Sequence, residues 1–308
     1  ALADADAYAD GKLLVIDKNW TLVANTTLTA SVKRIPGGSF TKASTYTLTF
    51  SGSFENPSNG QAFIGFAAGD VTFSVGTTIY PEWFGAVGDK VTNDISALNQ
   101  AVASTRAYND LWLNKRYRIA SQFTVNKAIN IKGPGIIWLD VGTSVDGVVL
   151  GDGITEINDI RWEFGGIFGA VSSCGNAFVA KLVGRSTFDF PIKAGTVAST
   201  GRGAWLQWGV CNNYRFKMST TINYGYGEYS DGPANGVELS TSAGAATVGN
   251  ANTFNCVIEG LLGKGLYLLY SGSNGNDWIY GTYELMHGNG IHVKGGTGIH
   301  ITDTYLEA

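Results

Sequence analysis

The sequence predicts an all-β fold, a single-stranded parallel β-helix with one short helix near its N-terminal side. Strand-forming Thr, Ser, Val and Ile recur in short runs broken by Gly and Asn, and a strand triplet returns every 25 to 33 residues across the second half. Only one stretch of the chain has the apolar spacing of a helix.

Composition supports the first point. Charged residues make up 15% of the 308, Gly reaches 42 and Pro only 6, which is a strand-and-turn usage. The length suffices for one elongated domain or two compact ones. Net charge is −4 with no run of Lys or Arg, so nucleic acid is not expected as a ligand. The most apolar stretch, Gly260 to Tyr270, is interrupted by Lys264 and by Gly residues, so no membrane span is expected. The chain starts Ala1-Leu2-Ala3-Asp4 without an initiator Met or a signal peptide, as a trimmed or processed chain would, and Ile299 to Ala308 read as a strand that nothing closes, so truncation at the C-terminal side is expected. Cys174, Cys211 and Cys256, spaced by 37 and 45, fit neither a disulfide framework nor a metal site and are expected as buried thiols of a chain folded in a reducing compartment.

The first eighty residues hold short runs, Leu13 to Ile16, Thr26 to Val32, Thr45 to Phe50, Phe63 to Phe66 and Val71 to Val75, divided by the turn sequences Pro36-Gly37-Gly38, Asn56-Pro57 and Ala68-Gly69-Asp70. Residues 1–79 are therefore expected as a strand-rich lead-in and residues 80–308 as the β-helix. At the junction, Ile95, Leu98, Ala101 and Val102 carry helical spacing, with Asn93 or Asp94 as N-cap. A single amphipathic helix among so many strands has a natural place at an open end of the stack.

The segment Phe84-Gly85-Ala86-Val87-Gly88-Asp89 through Asn93-Asp94 and Ala97-Leu98 resembles the motif that opens the β-helix in the pectate-lyase superfamily. The superfamily pattern favours Gly at position 90 and Asp at 93, where this chain has Lys90 and Asn93. Leu111-Trp112-Leu113, Tyr117-Arg118-Ile119 and Ile129 to Gly135 resemble the first coils that follow, and residues 35 to 57 the lead-in that precedes, so the likeness covers roughly residues 35 to 135. It implies a right-handed parallel β-helix. Within the superfamily the chain resembles the bacteriophage tailspike depolymerases, which implies a homotrimer in the phage virion tail acting on a bacterial surface polysaccharide, or otherwise an extracellular protein.

Beyond that region the coils show themselves. Gly or Asn followed by apolar-x-apolar recurs at Gly147, Asn176, Gly203, Gly236, Gly265 and Gly290, in steps of 29, 27, 33, 29 and 25. A second strand follows each, led by Asn and an aromatic in Asn213-Tyr214, Asn252-Thr253-Phe254 and Asn276-Asp277-Trp278. Leucine-rich repeats are excluded by the missing Leu lattice and propellers by the repeat length.

If the outer residues of each triplet point inward, the middle ones form an exposed column: Val149, Phe178, Trp205, Glu238, Tyr267 and His292. Aromatic faces and carboxylates in such a column suit a glycan, and the alternative is a face covered by a loop or another subunit. The longest repeat carries an insertion with Tyr226, Glu228, Tyr229 and Asp231, a further candidate substrate wall or else a solvated turn. Trp278 and Tyr283 complete the expected substrate-binding set.

Glycoside hydrolysis needs two carboxyl groups at a defined separation. Glu259 and Glu284, 25 residues apart, end corresponding strands, and Glu307 follows 23 later. Counted from Phe254 and from Trp278 the two are out of step by one, so a bulge or slip is needed for them to face one way. Glu238 is the third catalytic candidate. For β-elimination, His292 or Tyr283 would be the base and Arg215 or Lys217 the neutralising cation. No Asp-x-Asp cluster is present, so neither metal nor cofactor is expected. Gly151-Asp152-Gly153 reads as a turn, since no helix follows it. Three functions follow: a polysaccharide-cleaving tailspike, a hydrolase or less readily a lyase; a glycan-binding adhesin without catalysis; and a secreted bacterial polysaccharide lyase or hydrolase.

Overall fold

The computed structural model describes residues 5–6, 12–57, 60–142, 144–169, 174–193, 201–219, 235–240, 249–259, 264–270, 276–284 and 289–307. The chain forms two units, residues 1–117 with 129–132, and residues 118–128 with 133–308.

The first unit contains three coils of very short strands. Leu13–Ile16, Ser31–Arg34 and Phe54–Glu55 pair in one parallel sheet, Asn19–Leu22, Ser39–Lys42 and Phe63–Ile64 in a second, and Thr26–Leu28, Leu48–Phe50 and Val71–Phe73 in a third. The expected runs at 26–32, 45–50, 63–66 and 71–75 are thus shorter than their apolar patterns, because each strand turns a corner after two to four residues. Inward residues stack coil on coil. Phe40 lies on Phe63 with ring centroids 5.8 Å apart, and Phe50 on Phe73 at 5.0 Å. Burying rings of this size is the main stabilising term, about 1.5 to 3 kcal/mol each.

After the third coil comes a 3-10 turn, Pro81–Phe84, and then the α-helix Ile95–Ser104, whose buried Ala97, Leu98, Ala101 and Val102 pack against that turn. Asp94 occupies the N-cap position, but its side chain does not cap the helix. Its carboxylate turns back and accepts the N–H groups of Val87 at 2.7 Å and Gly88 at 3.1 Å, tying the Gly-Ala-Val-Gly-Asp loop to the helix start. Lys90 takes φ 69, a left-handed conformation that Gly adopts without strain. Glu82 is buried in the 3-10 turn and accepts the Tyr117 hydroxyl at 2.8 Å; desolvation pushes its carboxyl above the usual range.

The second unit is a parallel β-helix with three strands in its fuller coils. A sheet of long strands runs from Asn130–Leu139, whose residues from Gly133 on belong to this unit, through Arg161–Gly169, Thr187–Lys193, Asn213–Ser219, Thr253–Glu259 and Trp278–Glu284 to His300–Glu307. The triplet sheet runs from Phe123–Val125 through Val148–Leu150, Phe178–Ala180, Arg202–Leu206, Asn235–Leu239 and Leu266–Leu269 to Ile291–Lys294. A short third sheet joins Ile157–Asn158, Val183–Gly184, Gly209–Val210 and Gly249–Asn250. The all-β parallel β-helix read from the sequence, with the α-helix Ile95–Ser104 near its N-terminal side, is the fold observed.

One coil is shifted from the reading. Val148 pairs with Phe178, and Phe178 with Ala204, so the triplet begins after Ala177 and not after Asn176. Phe178 therefore faces the interior, where its ring meets Trp162, Phe188 and Phe190, and Val179 takes the outward place. Inside the long sheet Phe188, Tyr214 and Phe254 stack in register at 5.4 and 5.1 Å.

A polar ladder holds the corner before the long strands. Ser186, Asn212, Asn252 and Asp277 are all buried there. The Asn212 amide donates to the Val183 carbonyl at 2.7 Å, and that of Asn252 to the Gly209 carbonyl at 2.9 Å. The Asn212 and Asn252 side-chain oxygens accept the backbone N–H groups of Ser186 and Asn212. Asp277 continues the series by accepting the Asn252 N–H at 2.8 Å, and also takes the Tyr270 hydroxyl at 2.5 Å. Burial pushes the Asp277 carboxyl upward. Cys174 and Cys256 are buried as expected, whereas Cys211 is exposed, because φ 57 at the turn before this corner swings it outward.

Candidate functional site: the outward face of the long sheet

Alternation sorts each long strand into two faces. In Trp278–Glu284, Ile279 and Tyr283 are buried, and Trp278, Tyr280, Thr282 and Glu284 stand on the outward side. In Thr253–Glu259, Phe254, Cys256 and Ile258 are buried, and Thr253, Asn255, Val257 and Glu259 face outward. Tyr283, expected to bind substrate, is therefore a core residue, with its hydroxyl 3.4 Å from the Tyr280 carbonyl.

Glu259 and Glu284 are register partners, and Glu284 in turn pairs with Glu307. Neither a bulge nor a slip is needed for the first two to face one way, since their strands pair without a break. The inward residue matching Phe254 is Ile279, not Trp278, so both glutamates stand five positions after their anchors. Equivalent positions on neighbouring strands lie about 4.8 Å apart, close to the roughly 5 to 5.5 Å carboxyl separation of retaining glycosidases.

Four to six residues nearer the strand start, roughly 13 to 20 Å along, the same face carries an aromatic platform. Trp278, 42% exposed, stacks on His300 at 4.4 Å with rings 15° apart and lies nearly coplanar in tilt with Tyr280 at 6.3 Å and 11°. Beside it is a concavity of about 440 Å³ lined by Asn213, Arg215, Thr253, Asn255, Tyr280, Gly281 and Asp303. Arg215 lies 3.8 Å from Asp189, its register partner on the preceding coil. The Asn213 amide oxygen has no hydrogen-bond partner among the described residues. As expected, Arg215 and Lys217 point outward, because Tyr214, Phe216 and Met218 fill the interior.

The triplet-sheet column is different in kind. Val149, Val179 and Trp205 form a buried apolar patch, with Trp205 only 9% exposed. Glu238 is equally buried and held by Arg202, whose Nε and Nη2 donate to its two oxygens at 2.5 and 3.1 Å. The Ser240 hydroxyl donates to Glu238 at 2.5 Å and accepts the Trp205 indole N–H at 3.1 Å, while the Arg202 guanidinium lies 4.5 Å from the Trp205 ring centre. A carboxylate so fully engaged anchors a corner of the sheet, and its burial with that of Trp205 moves both out of the expected glycan face. Further along, Tyr267 and His292 are partly exposed with ring centres 4.8 Å apart, and Lys264 lies over Tyr267 at 3.3 Å. Tyr226, Glu228, Tyr229 and Asp231 lie outside the described residues. Asp152 accepts the N–H groups of Ile154 and Thr155 at 2.8 Å each, the turn expected there.

A concavity of about 500 Å³ in the first unit, lined by Glu55, Asn56, Thr77, Tyr80 and Trp83 among others, holds a single carboxylate, that of Glu55, 3.9 Å from Lys33. Among the described residues no group of three or more His, Cys, Asp or Glu is arranged to hold a metal ion. No helix among them is long and apolar enough to cross a membrane.

Fold and face together define a parallel β-helix protein with a groove, an aromatic platform and a carboxylate ladder on one side. The structure is similar to a solved phage protein, Geobacillus virus E2 ORF18, with a TM-score of 0.55 and 15% identity over 72% of this chain. The chain spans 50% of that protein's length, and the likeness is one of fold. No protein-family model matches the sequence, and no curated protein matches it.

Proposed function

We propose that the protein binds a bacterial capsular or exopolysaccharide along the long sheet and cleaves it by glycosidic hydrolysis, with Glu259 and Glu284 as the carboxyl pair. The observation that carries the proposal is their register on the face that also bears the Trp278 platform. Stacked aromatic rings suit the apolar faces of sugars, and the amides and charges of the groove suit hydroxyl groups. One glutamic acid protonates the leaving oxygen as the other, ionised, attacks the anomeric carbon and the glycosidic bond breaks; water, deprotonated by the first, then displaces the sugar from the second and restores both groups.

Hydrolysis is favoured over elimination because the expected bases do not border the groove. His292 belongs to the triplet sheet and Tyr283 lies in the core. A glycan-binding protein without catalysis would use the same groove and platform. The phage origin of the similar structure, with the resemblance of the Phe84 to Leu98 segment, supports placement in a phage virion as a homotrimeric tailspike acting on the host surface.

The test is incubation with a panel of capsular polysaccharides, following new reducing ends and the ultraviolet absorbance of unsaturated uronates. Reducing ends without absorbance support hydrolysis. Both signals together mean elimination, and binding with neither overturns the catalytic reading.

A further inference from the structure

Asp303 lies at an irregularity in the ladder. Ile279 pairs with Ile301 but Gly281 with Thr304, so Thr302 and Asp303 together oppose Tyr280. Asp303 takes φ 46, a left-handed conformation that non-glycine residues in strands avoid. The Thr304 hydroxyl, 2.9 Å from the Thr302 carbonyl and 3.3 Å from that of Ile279, braces the extra residue. Gly281 across from it has φ 108, and a Cβ there would stand 2.0 Å from the Cys256 carbonyl oxygen. A bulge re-aims a side chain, and this one adds Asp303 to the lining of the groove with Arg215, Asn213, Asn255 and Tyr280.

The charges of this lining oppose each other. Arg215 has Asp189 beside it and shares the groove with Asp303, so an incoming carboxylate meets a guanidinium already countered and a like charge. Neutral hydroxyls meet matched partners. A carboxylate accepts from adjacent hydroxyls, and the Asn255 side-chain amide in the same lining can both donate and accept. We infer that Asp303 is a specificity-determining residue that makes this groove select a neutral, hydroxyl-rich sugar over a uronate. The inference rests on the polysaccharide reading of the site.

The test is an array of bacterial-capsule oligosaccharides divided between neutral and uronate-containing members, probed with the native chain, Asp303→Asn and Asp303→Gly. Asn and Gly both tolerate the left-handed conformation, and thermal melting of each variant verifies folding. The native chain is expected to bind neutral members. Both variants are expected to lose at least tenfold in that affinity and to narrow or reverse the discrimination against uronates. Native preference for uronates, or variants that bind as the native chain does, overturns the role of Asp303 while leaving the glycan site standing. A native chain that binds nothing on the array overturns both.

Discussion

Glu259 and Glu284 are direct partners on adjacent coils, with an unbroken run of paired residues from Thr253 opposite Trp278 to the glutamates themselves. Their spacing is therefore set by backbone hydrogen bonds and not by side-chain packing. Such a pair can be tested one member at a time.

Glu284→Gln and Glu259→Gln are each expected to lower the rate of reducing-end release by about 10² to 10⁴-fold, the contribution of a positioned acid or base, while glycan binding persists. Full activity in either variant removes that residue from the chemistry.

Trp278→Ala should weaken binding of the polysaccharide about tenfold, the equivalent of about 1.4 kcal/mol. The ring is 42% exposed, so its loss leaves the core intact and the melting temperature nearly unchanged. A large drop in melting temperature would show that the platform serves the fold.

Two buried carboxyl groups make stability fall as pH rises. Desolvation raises both Asp277 and Glu82 above their unfolded values, so the folded chain retains protons that the unfolded chain has released. Their contribution is fully present below the unfolded carboxyl value, about pH 4, and is lost as pH climbs through the raised folded values. Asp277→Asn should remove one part of this dependence. Its amide can donate to the Gly249 carbonyl as Asn252 does to Gly209 on the coil before, since Gly209 and Gly249 are register partners. Thermal melts across the acid to neutral range should show the variant gaining on the native chain as pH rises. A constant offset would place the proton elsewhere.

Backbone conformation gives a paired prediction. Lys90→Gly should stabilise the first unit by about 1 kcal/mol, because Lys90 holds a left-handed φ without a glycine. Gly281→Ala should do the reverse and by more, since its Cβ would collide with the Cys256 carbonyl. Denaturant titration reads both, and a destabilised Lys90→Gly would mean that the lysine side chain repays its strain.

Analytical ultracentrifugation of the intact chain is expected to give a mass three times that of one chain, as the tailspike reading requires. A monomer at micromolar concentration would contradict it.

The coils of the second unit were legible because Gly and apolar-x-apolar recur at the same corner, as in Gly203 to Leu206 and Gly236 to Leu239. The slip at Asn176 has a physical cause. That residue is a polar corner brace, accepting the Arg202 N–H at 3.1 Å and donating to Asp146 at 2.7 Å, and so resembles the start of a strand. The faces of the last long strands were harder, because Trp278 and Tyr283 are both aromatic while only Tyr283 is inside. The coils of the first unit were hidden by strands too short to show alternation, such as Phe54–Glu55 and Phe63–Ile64. The groove residues Tyr280, Asn213, Asn255 and Asp303 were missed. Tyr280 and Asn255 sit at outward positions that the correct anchor, Ile279 opposite Phe254, would have exposed, and Asn213 precedes the inward Tyr214. The Asp303 bulge leaves no mark in sequence, since neither Gly nor Pro signals it.

Strict alternation also restricts how this chain can diversify. One residue inserted or deleted within Trp278–Glu284 would invert the strand on one side of the change and so take either Trp278 or Glu284 off the working face, unless a bulge absorbs it. Corners between strands carry no such constraint. New specificities in relatives of this chain should therefore arise by replacing single rungs or lengthening corners, and the Asp303 bulge marks a place where an extra residue has been absorbed without inverting the strand.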